Sequence, residues 1–138
     1  MITIRKQEIV KLEDVLHLYQ AVGWTNYTNQ PQMLEQALSH SLVIYLALDG
    51  DAVVGLIRLV GDGFSSVFVQ DLIVLPSYQR QGIGRSLMKE ALEDYKDAYQ
   101  VQLVTEQTEK NLGFYRFMGF EILSTYDCTG MIWINREK

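Results

Sequence analysis

A change of hydrophobic period near residue 76 constrains the fold more than any other feature of this chain. Three β-rich segments precede it, and two short turns rich in glycine and aspartate join them. The segments are 41–48, 52–60 and 64–75, and the turns are Asp49-Gly50-Asp51 and Gly61-Asp62-Gly63. After residue 76, apolar side chains recur at helical spacing from Ile83 to Tyr95, and a short strand is predicted at 101–104. Hairpins followed by a strand–helix–strand crossover predict a mixed sheet with helices on its faces.

The remaining segments complete a single series of strands and helices. The pattern predicts a strand at 2–7, a helix from Leu12 that ends at Gly23, a loop at 24–29, helices at 31–40 and 108–118, and strands at 121–123 and 126–134. The order β-α-α-β-β-β-α-β-α-β-β indicates an α/β (α+β) fold around a mixed, mostly antiparallel sheet of about 6–7 strands. No repeat, linker or charge block divides residues 1–138, so we expect a single domain.

Charge and cysteine content exclude several classes of protein. The net charge of −5 argues against nucleic acid as a partner, because phosphate-rich polymers require a basic face. Cys128 is the only cysteine, which excludes a disulfide framework and a multi-cysteine zinc site, and we expect no metal. No apolar run reaches the roughly 18 residues of a membrane span, and the N-terminus lacks the apolar stretch of a secretory signal. We therefore expect no membrane partner and a cytoplasmic location.

The segment 72–85 indicates chemistry more clearly than any other part of the sequence. It reads as a strand end, a loop and a glycine-containing entry into a helix, an arrangement that offers free backbone N–H groups to an anion. Arg80 and Arg85 flank the helix start, where acidic residues are normally favoured. The acids of this helix lie further along, at Glu90, Glu93, Asp94 and Asp97. This reversed charge pattern predicts that a phosphorylated ligand supplies the missing negative charge.

Two familiar phosphate-binding loops fit this segment poorly. A Walker A loop requires Gly-Lys-Ser/Thr, but Arg85 follows Gly84, and Gln79 stands where the first glycine of that loop belongs. A dinucleotide fingerprint requires a third glycine, which Leu87 replaces, although Glu106 imitates its ribose-binding acid. The Walker interpretation therefore fails, and the dinucleotide interpretation is weak.

Two motifs in this order resemble those of the GCN5-related N-acetyltransferase (GNAT) superfamily. Gln79-Arg80-Gln81-Gly82-Ile83-Gly84 matches its pattern Gln/Arg-x-x-Gly-x-Gly/Ala, and Leu72-x-Val74-x-Pro76 resembles the strand that leads into it. Phe114-Tyr115-Arg116-Phe117-Met118-Gly119-Phe120 resembles the Phe-Tyr-x-x-x-Gly-Phe signature of the same superfamily. The resemblance implies an acyl-CoA-dependent N-acyltransferase that moves acetyl from acetyl-CoA, its co-substrate, to a primary amine. A non-catalytic acyl-CoA-binding or regulatory module on the same fold is the alternative.

The resemblance also implies a set of site residues and a sheet that is splayed near its middle. The pantetheine arm would pair with main-chain groups of Leu72, Ile73 and Val74. The pyrophosphate would rest on main-chain N–H groups of Arg80, Gln81, Gly82, Ile83, Gly84 and Arg85, with help from the two arginine side chains. The N–H of Val74 would polarise the thioester carbonyl. Tyr115 would be the general acid, because a phenol is protonated at pH 7 and can donate to a departing thiolate.

Two positions depart from the superfamily pattern and leave the general base open. Thr108 stands where many relatives carry an Asn that contacts the cofactor, and Leu103 stands where some carry a Glu base. The amine proton therefore goes to Asp71, to Glu106 or directly to water. Cys128 is predicted to be a buried strand residue without a catalytic role.

The acceptor is predicted to be a small-molecule amine or a peptide amine, held by the segments outside the cofactor motif. Trp24, Tyr27 and Asn29 in the loop between the first two helices are candidates for one wall of its pocket, and the hairpin around Tyr126 and Asp127 for another. Aromatic rings and carboxylates suit a cationic ligand. Packing of Trp24 against the core is an equally good interpretation. A homodimer through edge strands or the C-terminal hairpin is possible.

Overall fold

The computed structural model of the chain describes residues 1–135 and divides into two compact units. The first unit is Met1–Val104, and the second begins at Thr105. The expectation of a single domain over 1–138 stays a prediction, and each unit is described by itself.

The first unit is built on a five-stranded sheet whose strands lie in chain order. The strands are β1 (Ile2–Gln7), β2 (Val43–Asp49), β3 (Ala52–Gly61), β4 (Val67–Val74) and β5 (Val101–Leu103). Neighbours from β1 to β4 are antiparallel, and β5 joins β4 in parallel. The helices are α1 (Leu12–Ala21), α2 (Thr25–Thr28), α3 (Pro31–Ser39) and α4 (Ile83–Asp94), with a 3₁₀ turn at Pro76–Tyr78. The predicted mixed, mostly antiparallel sheet is thereby confirmed.

Helices cover both faces of this sheet, as the element order predicts. Helices α1 and α3 bury Val15, Leu18, Leu34 and Leu38 in one cluster with Ile44, Leu46, Leu56 and Ile73 of the strands. Helix α4 covers the opposite face, because a Cβ placed on Gly55 would lie 3.5 Å from Leu87 Cδ1, and Gly55 and Leu56 point to opposite sides of the sheet. Burial of apolar surface contributes about 25 cal/mol per Å² to the stability of a fold. The two layers of helices against the sheet are therefore the main source of stability of this unit.

A β-bulge in β4 sets the direction of the side chains that follow it. Arg58 pairs with Asp71, but its neighbour Leu59 pairs with Val69, so Gln70 is an extra residue in β4. Arg58 and Leu59 point to opposite faces of the sheet, and so therefore do Asp71 and Val69. The bulge turns Asp71 towards the face that α1 to α3 cover.

Two predicted segments of the first unit differ from the structure. The predicted loop 24–29 contains the single helical turn α2. The strand predicted from Phe64 begins at Val67, because Asp62 Oδ1 accepts the N–H groups of Phe64, Ser65 and Ser66. A carboxylate that satisfies three consecutive donors holds this stretch in a turn and takes it out of the strand.

The second unit, as far as residue 135, contains helix α5 (Glu109–Phe117) and a 3₁₀ turn at Leu123–Tyr126. The strands predicted at 121–123 and 126–134 are absent, so the predicted sheet of 6–7 strands has five in the described chain. The N–H groups of Asp127 and Cys128 donate to the carbonyls of Ser124 and Leu123, which commits them to a turn. Cys128 is exposed, so its predicted burial in a strand is wrong.

Candidate active site

Strand β4 has an open edge where β5 ends. The two strands pair at only three positions, from Val67 with Val101 to Val69 with Leu103, whereas β4 continues to Val74. Over residues 70–74 no described strand pairs with this side of β4. The splay predicted near the middle of the sheet stays a prediction; among the described strands, the place where pairing stops is between β4 and β5, at the edge of the sheet.

Hydrogen-bond alternation decides which groups of β4 face this open edge. The N–H of Leu75 donates to the carbonyl of Val54 at 2.9 Å, which makes these two residues a hydrogen-bonded pair. Hydrogen-bonded and non-bonded pairs alternate along antiparallel strands. The main-chain groups of Ile73 therefore point to β3, and those of Leu72 and Val74 point to the open edge. Gln79 Nε2 donates to the Val74 carbonyl at 3.1 Å from that side.

The start of α4 carries an uncapped set of backbone donors. Gly82 is the N-cap residue, has a φ of 78° and gives no side-chain cap, and no acid occupies the first turn. The first bond of the helix runs from the Ser86 N–H to the Gly82 carbonyl at 3.0 Å. The N–H groups of Ile83 and Gly84 precede that bond and have no acceptor within the helix. Their orientation and the helix dipole favour an anion.

Two arginines surround this helix start. Arg80 has a φ of 67°, a left-handed conformation that costs a non-glycine residue free energy and is found at binding and catalytic sites. Arg85 Nη2 lies 3.5 Å from the position that a Cβ on Gly82 would occupy. Both arginines are exposed. The helix start thus combines main-chain donors, a bare glycine and two guanidinium groups.

Gly55 positions the last residues of β4, and the sequence analysis did not single it out. A Cβ at this position would lie 2.9 Å from the Ile73 carbonyl oxygen, closer than real Cβ atoms come to a backbone atom. Only glycine therefore lets β3 approach the last residues of β4. The signal in the sequence is a lone glycine inside a predicted strand, which marks a close approach of another backbone.

Asp71, a candidate general base, is instead the centre of a buried network. Its Oδ2 accepts Arg58 Nε at 2.7 Å and the Tyr19 hydroxyl at 2.8 Å, and its Oδ1 accepts the Tyr27 hydroxyl at 2.9 Å. Asp71 is 2% exposed and Arg58 is 4% exposed. A base needs access to the amine and a free lone pair aimed at its proton. The structure removes Asp71 from the candidates and leaves Glu106 or water.

The network changes the acid–base properties of its members. Burial and then the charge of Asp71 raise the pKa of Tyr19 and of Tyr27 above the ordinary 10. For Arg58, burial lowers the pKa, but the attraction of Asp71 outweighs that effect and the pKa is raised. Both tyrosines therefore stay neutral donors and Arg58 stays charged at physiological pH.

The residues predicted to form the acceptor wall are mostly committed to packing. Tyr19 and Tyr27 meet edge to face with ring centroids 5.1 Å apart, and Trp24 lies 6.2 Å from Tyr19 and 6.3 Å from Tyr27. Trp24 is half-buried, and Asn29 is exposed. The Tyr27 hydroxyl is taken by the network, so Trp24 is the aromatic residue of this wall that offers surface to a ligand.

In the second unit, Tyr115 is a half-buried residue of α5. Its ring contacts Phe114 at 5.1 Å and Phe120 at 6.0 Å, both edge to face. Burial raises its pKa above 10, and a hydrogen bond with Thr105 opposes that shift. Thr108 caps α5 by accepting the Asn111 N–H at 3.1 Å, so its hydroxyl has a structural role.

Residues 1–135 contain neither a membrane-spanning helix nor a metal-binding cluster. No helix in this range is long and apolar enough to cross a membrane. No group of three or more histidine, cysteine or acidic side chains in the same range is arranged to hold a metal ion.

The chain is similar to known acetyltransferases in sequence and in structure. A family model described as an acetyltransferase (GNAT) domain matches residues 40–122. Serotonin N-acetyltransferase 2, chloroplastic, of Oryza sativa subsp. japonica is 32% identical over 95 residues, which cover 66% of this chain and 48% of that protein. This chain thus matches about half the length of the rice relative.

Solved structures extend the likeness over nearly the whole chain. A GNAT-family acetyltransferase from Streptococcus pneumoniae TIGR4 is 88% identical, with a TM-score of 0.91 and 99% of each chain covered. An aminoglycoside N-acetyltransferase solved in complex with CoA is 15% identical, with a TM-score of 0.72, 99% of this chain and 95% of the other covered. At that identity the second likeness concerns the fold alone.

Proposed function

The chain belongs to the GNAT family of acetyltransferases, and from this membership we propose that it transfers an acetyl group from acetyl-CoA to a primary amine. The observation that carries the proposal is the junction of β4 and α4, where an open strand edge leads directly to an uncapped helix start between two arginines. An acyl-CoA is long, carries amide groups in its pantetheine arm and ends in phosphates, so it suits such a junction.

The residues present fit that co-substrate at both of its polar parts. The main-chain groups of Leu72 and the N–H of Val74 point to the open edge and are the proposed partners for pantetheine amides, and the Val74 carbonyl becomes available when Gln79 releases it. Ile73 contributes its buried side chain to the core. The N–H groups of the first turn of α4 and the guanidinium groups of Arg80 and Arg85 are the partners for pyrophosphate. Gly82 and Gly84 leave room for the phosphates because they have no Cβ.

The proposed chemistry is a direct transfer. The amine lone pair attacks the thioester carbonyl carbon, and the N–H of Val74 stabilises the negative charge that develops on the carbonyl oxygen. The C–S bond then breaks, and Tyr115 gives its proton to the sulfur of the leaving thiolate. The substrate ammonium first gives one proton to Glu106 or to water, because only the neutral amine has a free lone pair. The nitrogen loses a second proton when the amide forms, and that proton restores the Tyr115 phenol. The role of Tyr115 rests on its position in the family motif.

The acceptor class is part of the proposal. The rice relative is named for serotonin, a small amine, and this name supports a small amine as the acceptor. A net charge of −5 and the half-buried ring of Trp24 are compatible with a cationic small molecule. A panel of small amines and a lysine peptide, assayed for CoA release and for the mass of the acetylated product, tests this class.

Charge reversal at the helix start tests the cofactor side. Gly82→Glu places bulk and a negative charge where the pyrophosphate would lie, so we expect acetyl-CoA affinity by calorimetry to fall at least about 100-fold. Gly50→Glu is the matched control, because Gly50 also has a positive φ, of 62°, and nothing lies within 4 Å of an added Cβ. A folded Gly82→Glu protein with wild-type affinity would refute the assigned phosphate site.

A non-catalytic acyl-CoA-binding module is the second candidate. The observation that favours it is the missing base, since Leu103 occupies one expected position and Asp71 is buried with both oxygens bonded. The enzyme releases CoA when it is given an amine acceptor, whereas the binding module does not. Acetyl-CoA binding without CoA release for any amine of the panel would establish the binding module and exclude the enzyme.

A further inference from the structure

Asp71 of β4 connects the proposed cofactor segment of the first unit with the proposed acceptor wall. Asp71 directly precedes the segment 72–74 that would bind the pantetheine arm. Its two carboxylate oxygens also hold the hydroxyls of Tyr19 and Tyr27, whose rings support Trp24 in the proposed acceptor wall. A single carboxylate is thus bonded to the wall and joined covalently to the cofactor segment.

Arg58 extends this junction to a third helix. Its Nε donates to Asp71, and its Nη2 donates to the Tyr27 hydroxyl at 3.2 Å. Its Nη1 donates to Ser41 Oγ at 3.2 Å and to the Ala37 carbonyl at 3.4 Å. Among the described residues, no buried side-chain nitrogen or oxygen lacks a hydrogen-bond partner. The network is therefore complete, and a complete polar network is rigid.

We infer that Asp71 is a positioning residue that couples the acceptor wall to the cofactor segment of β4. This inference rests on the proposed function. A bound acyl-CoA fixes the backbone of 72–74, the attached Asp71 is fixed with it, and the Tyr19 and Tyr27 hydroxyls transmit that restraint to the loop 24–29. The acceptor wall is consequently best ordered when the acyl donor is present.

The energetics of a buried ion pair support a positioning role. Burying two charges removes their hydration, so a buried ion pair stabilises a fold little compared with apolar side chains of equal size. It does specify geometry. A one-residue slip of β4 against β3 would turn Asp71 to the face that α4 covers and away from Arg58 and both tyrosines. The pair therefore fixes the register that sets residues 72–74 in place.

The test removes one hydroxyl and leaves the rings and the ion pair intact. Tyr27→Phe deletes the donor to Asp71 Oδ1 and the acceptor for Arg58 Nη2. Tyr45→Phe is the matched control, because the buried Tyr45 donates to Asp94 Oδ2 at 2.6 Å from the opposite face of the sheet. Both substitutions delete one tyrosine–carboxylate bond. Tyr27→Phe also removes the acceptor of Arg58 Nη2 and of Gln70 Nε2, so we expect it to lower stability more than Tyr45→Phe does.

Amide hydrogen exchange with and without CoA measures the coupling. In the wild type we expect CoA to slow exchange at 80–85 by direct contact and at 24–29 through Asp71. In Tyr27→Phe the slowing at 24–29 should disappear while that at 80–85 persists, and in Tyr45→Phe both should persist. Slowing at 80–85 without any effect at 24–29 in the wild type would overturn the inference and leave the proposed function standing. No effect at 80–85 would refute the proposed function, and the inference would fall with it.

Steady-state kinetics provide a second readout that a purely structural role would not move. We expect Tyr27→Phe to raise the KM for the amine by about threefold to tenfold, the size of one hydrogen bond, with the KM for acetyl-CoA within about twofold of wild type. Tyr45→Phe should change neither constant. Equal kinetic constants in both variants, with only a loss of stability, would show that the network is structural.

Discussion

Tyr115 has a neutral phenol and occupies the tyrosine position of the family motif. Its substitution by phenylalanine distinguishes proton donation by the hydroxyl from packing of the ring. Burial raises its pKa above 10, so the proton is available for donation across the neutral range. Tyr115→Phe keeps the ring and removes the donor. We expect kcat to fall by about 10²–10⁴-fold with the KM for acetyl-CoA nearly unchanged, because the sulfur becomes negative only as the bond breaks.

The pH profile distinguishes this role from others. The wild-type rate should decline above pH 10 as the phenol ionises, and this decline should vanish in Tyr115→Phe. Tyr99→Phe is the control, because Tyr99 is exposed and belongs to neither the cofactor segments nor the predicted acceptor wall. If Tyr115→Phe keeps a kcat close to wild type, water delivers the proton and Tyr115 is a packing residue.

At the scale of single residues, the sequence predicts local chemistry well and long-range partners poorly. Gly82 and the uncapped, acid-free start of α4 are visible in the sequence because they depend on neighbours within a few positions. Asp71 looks like an accessible carboxylate. Its partners Tyr19 and Arg58 are 52 and 13 residues away, and only the register of β3 and β4 brings them together. The bulge at Gln70 that creates this register has no signature in the residue pattern.

The contact between β3 and β4 depends on Gly55, and adding one methyl group tests it. Gly55→Ala would place a Cβ 2.9 Å from the Ile73 carbonyl oxygen, and neither backbone can move without breaking ladder bonds. We expect a loss of about 1–3 kcal/mol in the free energy of unfolding by urea, with weaker acetyl-CoA binding because residues 72–74 shift. Gly113→Ala, in α5 with nothing within 4 Å, should instead stabilise by about 0.5–1 kcal/mol. An unchanged free energy of unfolding in Gly55→Ala would mean that the backbone of β3 shifts to make room for the added methyl group at no cost.

At the scale of elements, predictions succeeded where turns and helix ends carry local signals. The hairpin turns at Asp49-Gly50-Asp51 and Gly61-Asp62-Gly63 and the helix that begins at Ile83 are confirmed. The segments 121–123 and 126–134 have strand-forming composition, but a strand exists only with a partner. In the described chain, the 3₁₀ turn at Leu123–Tyr126 takes up the local hydrogen bonds. A pattern of residue types does not reveal that outcome.

The first unit should lose stability at high pH because of its buried tyrosines. Burial is the largest cause that raises the pKa values of Tyr19, Tyr27 and Tyr45 above 10, followed by Asp71 for the first two and by the hydrogen bond to Asp94 for Tyr45. The native state therefore holds these protons more tightly than the unfolded state does. Their contribution is fully present below pH 10 and is lost as pH rises beyond it.

Urea unfolding at several pH values checks this dependence. We expect a free energy of unfolding that falls above pH 10 with a slope of up to about 1.4 kcal/mol per pH unit for each tyrosine that titrates only on unfolding. Tyr45→Phe should make that slope shallower by the contribution of Tyr45 alone. Identical slopes in the two proteins would show that Tyr45 ionises equally in both states.

The acyl-CoA site proposed above uses the backbone of β4, and a site of that kind is robust to mutation. The N–H and C=O groups at Leu72 and Val74 are supplied by every amino acid except proline, which lacks the N–H. Under that proposal, packing alone restricts the side chains along this strand, and substitutions that preserve packing should leave acyl-CoA binding unchanged. In a saturation library of positions 72 and 74 selected for activity, proline should be the most strongly depleted residue. Side chains outside β4 would then determine the acceptor, and substitutions there could change acceptor specificity without weakening acyl-CoA binding.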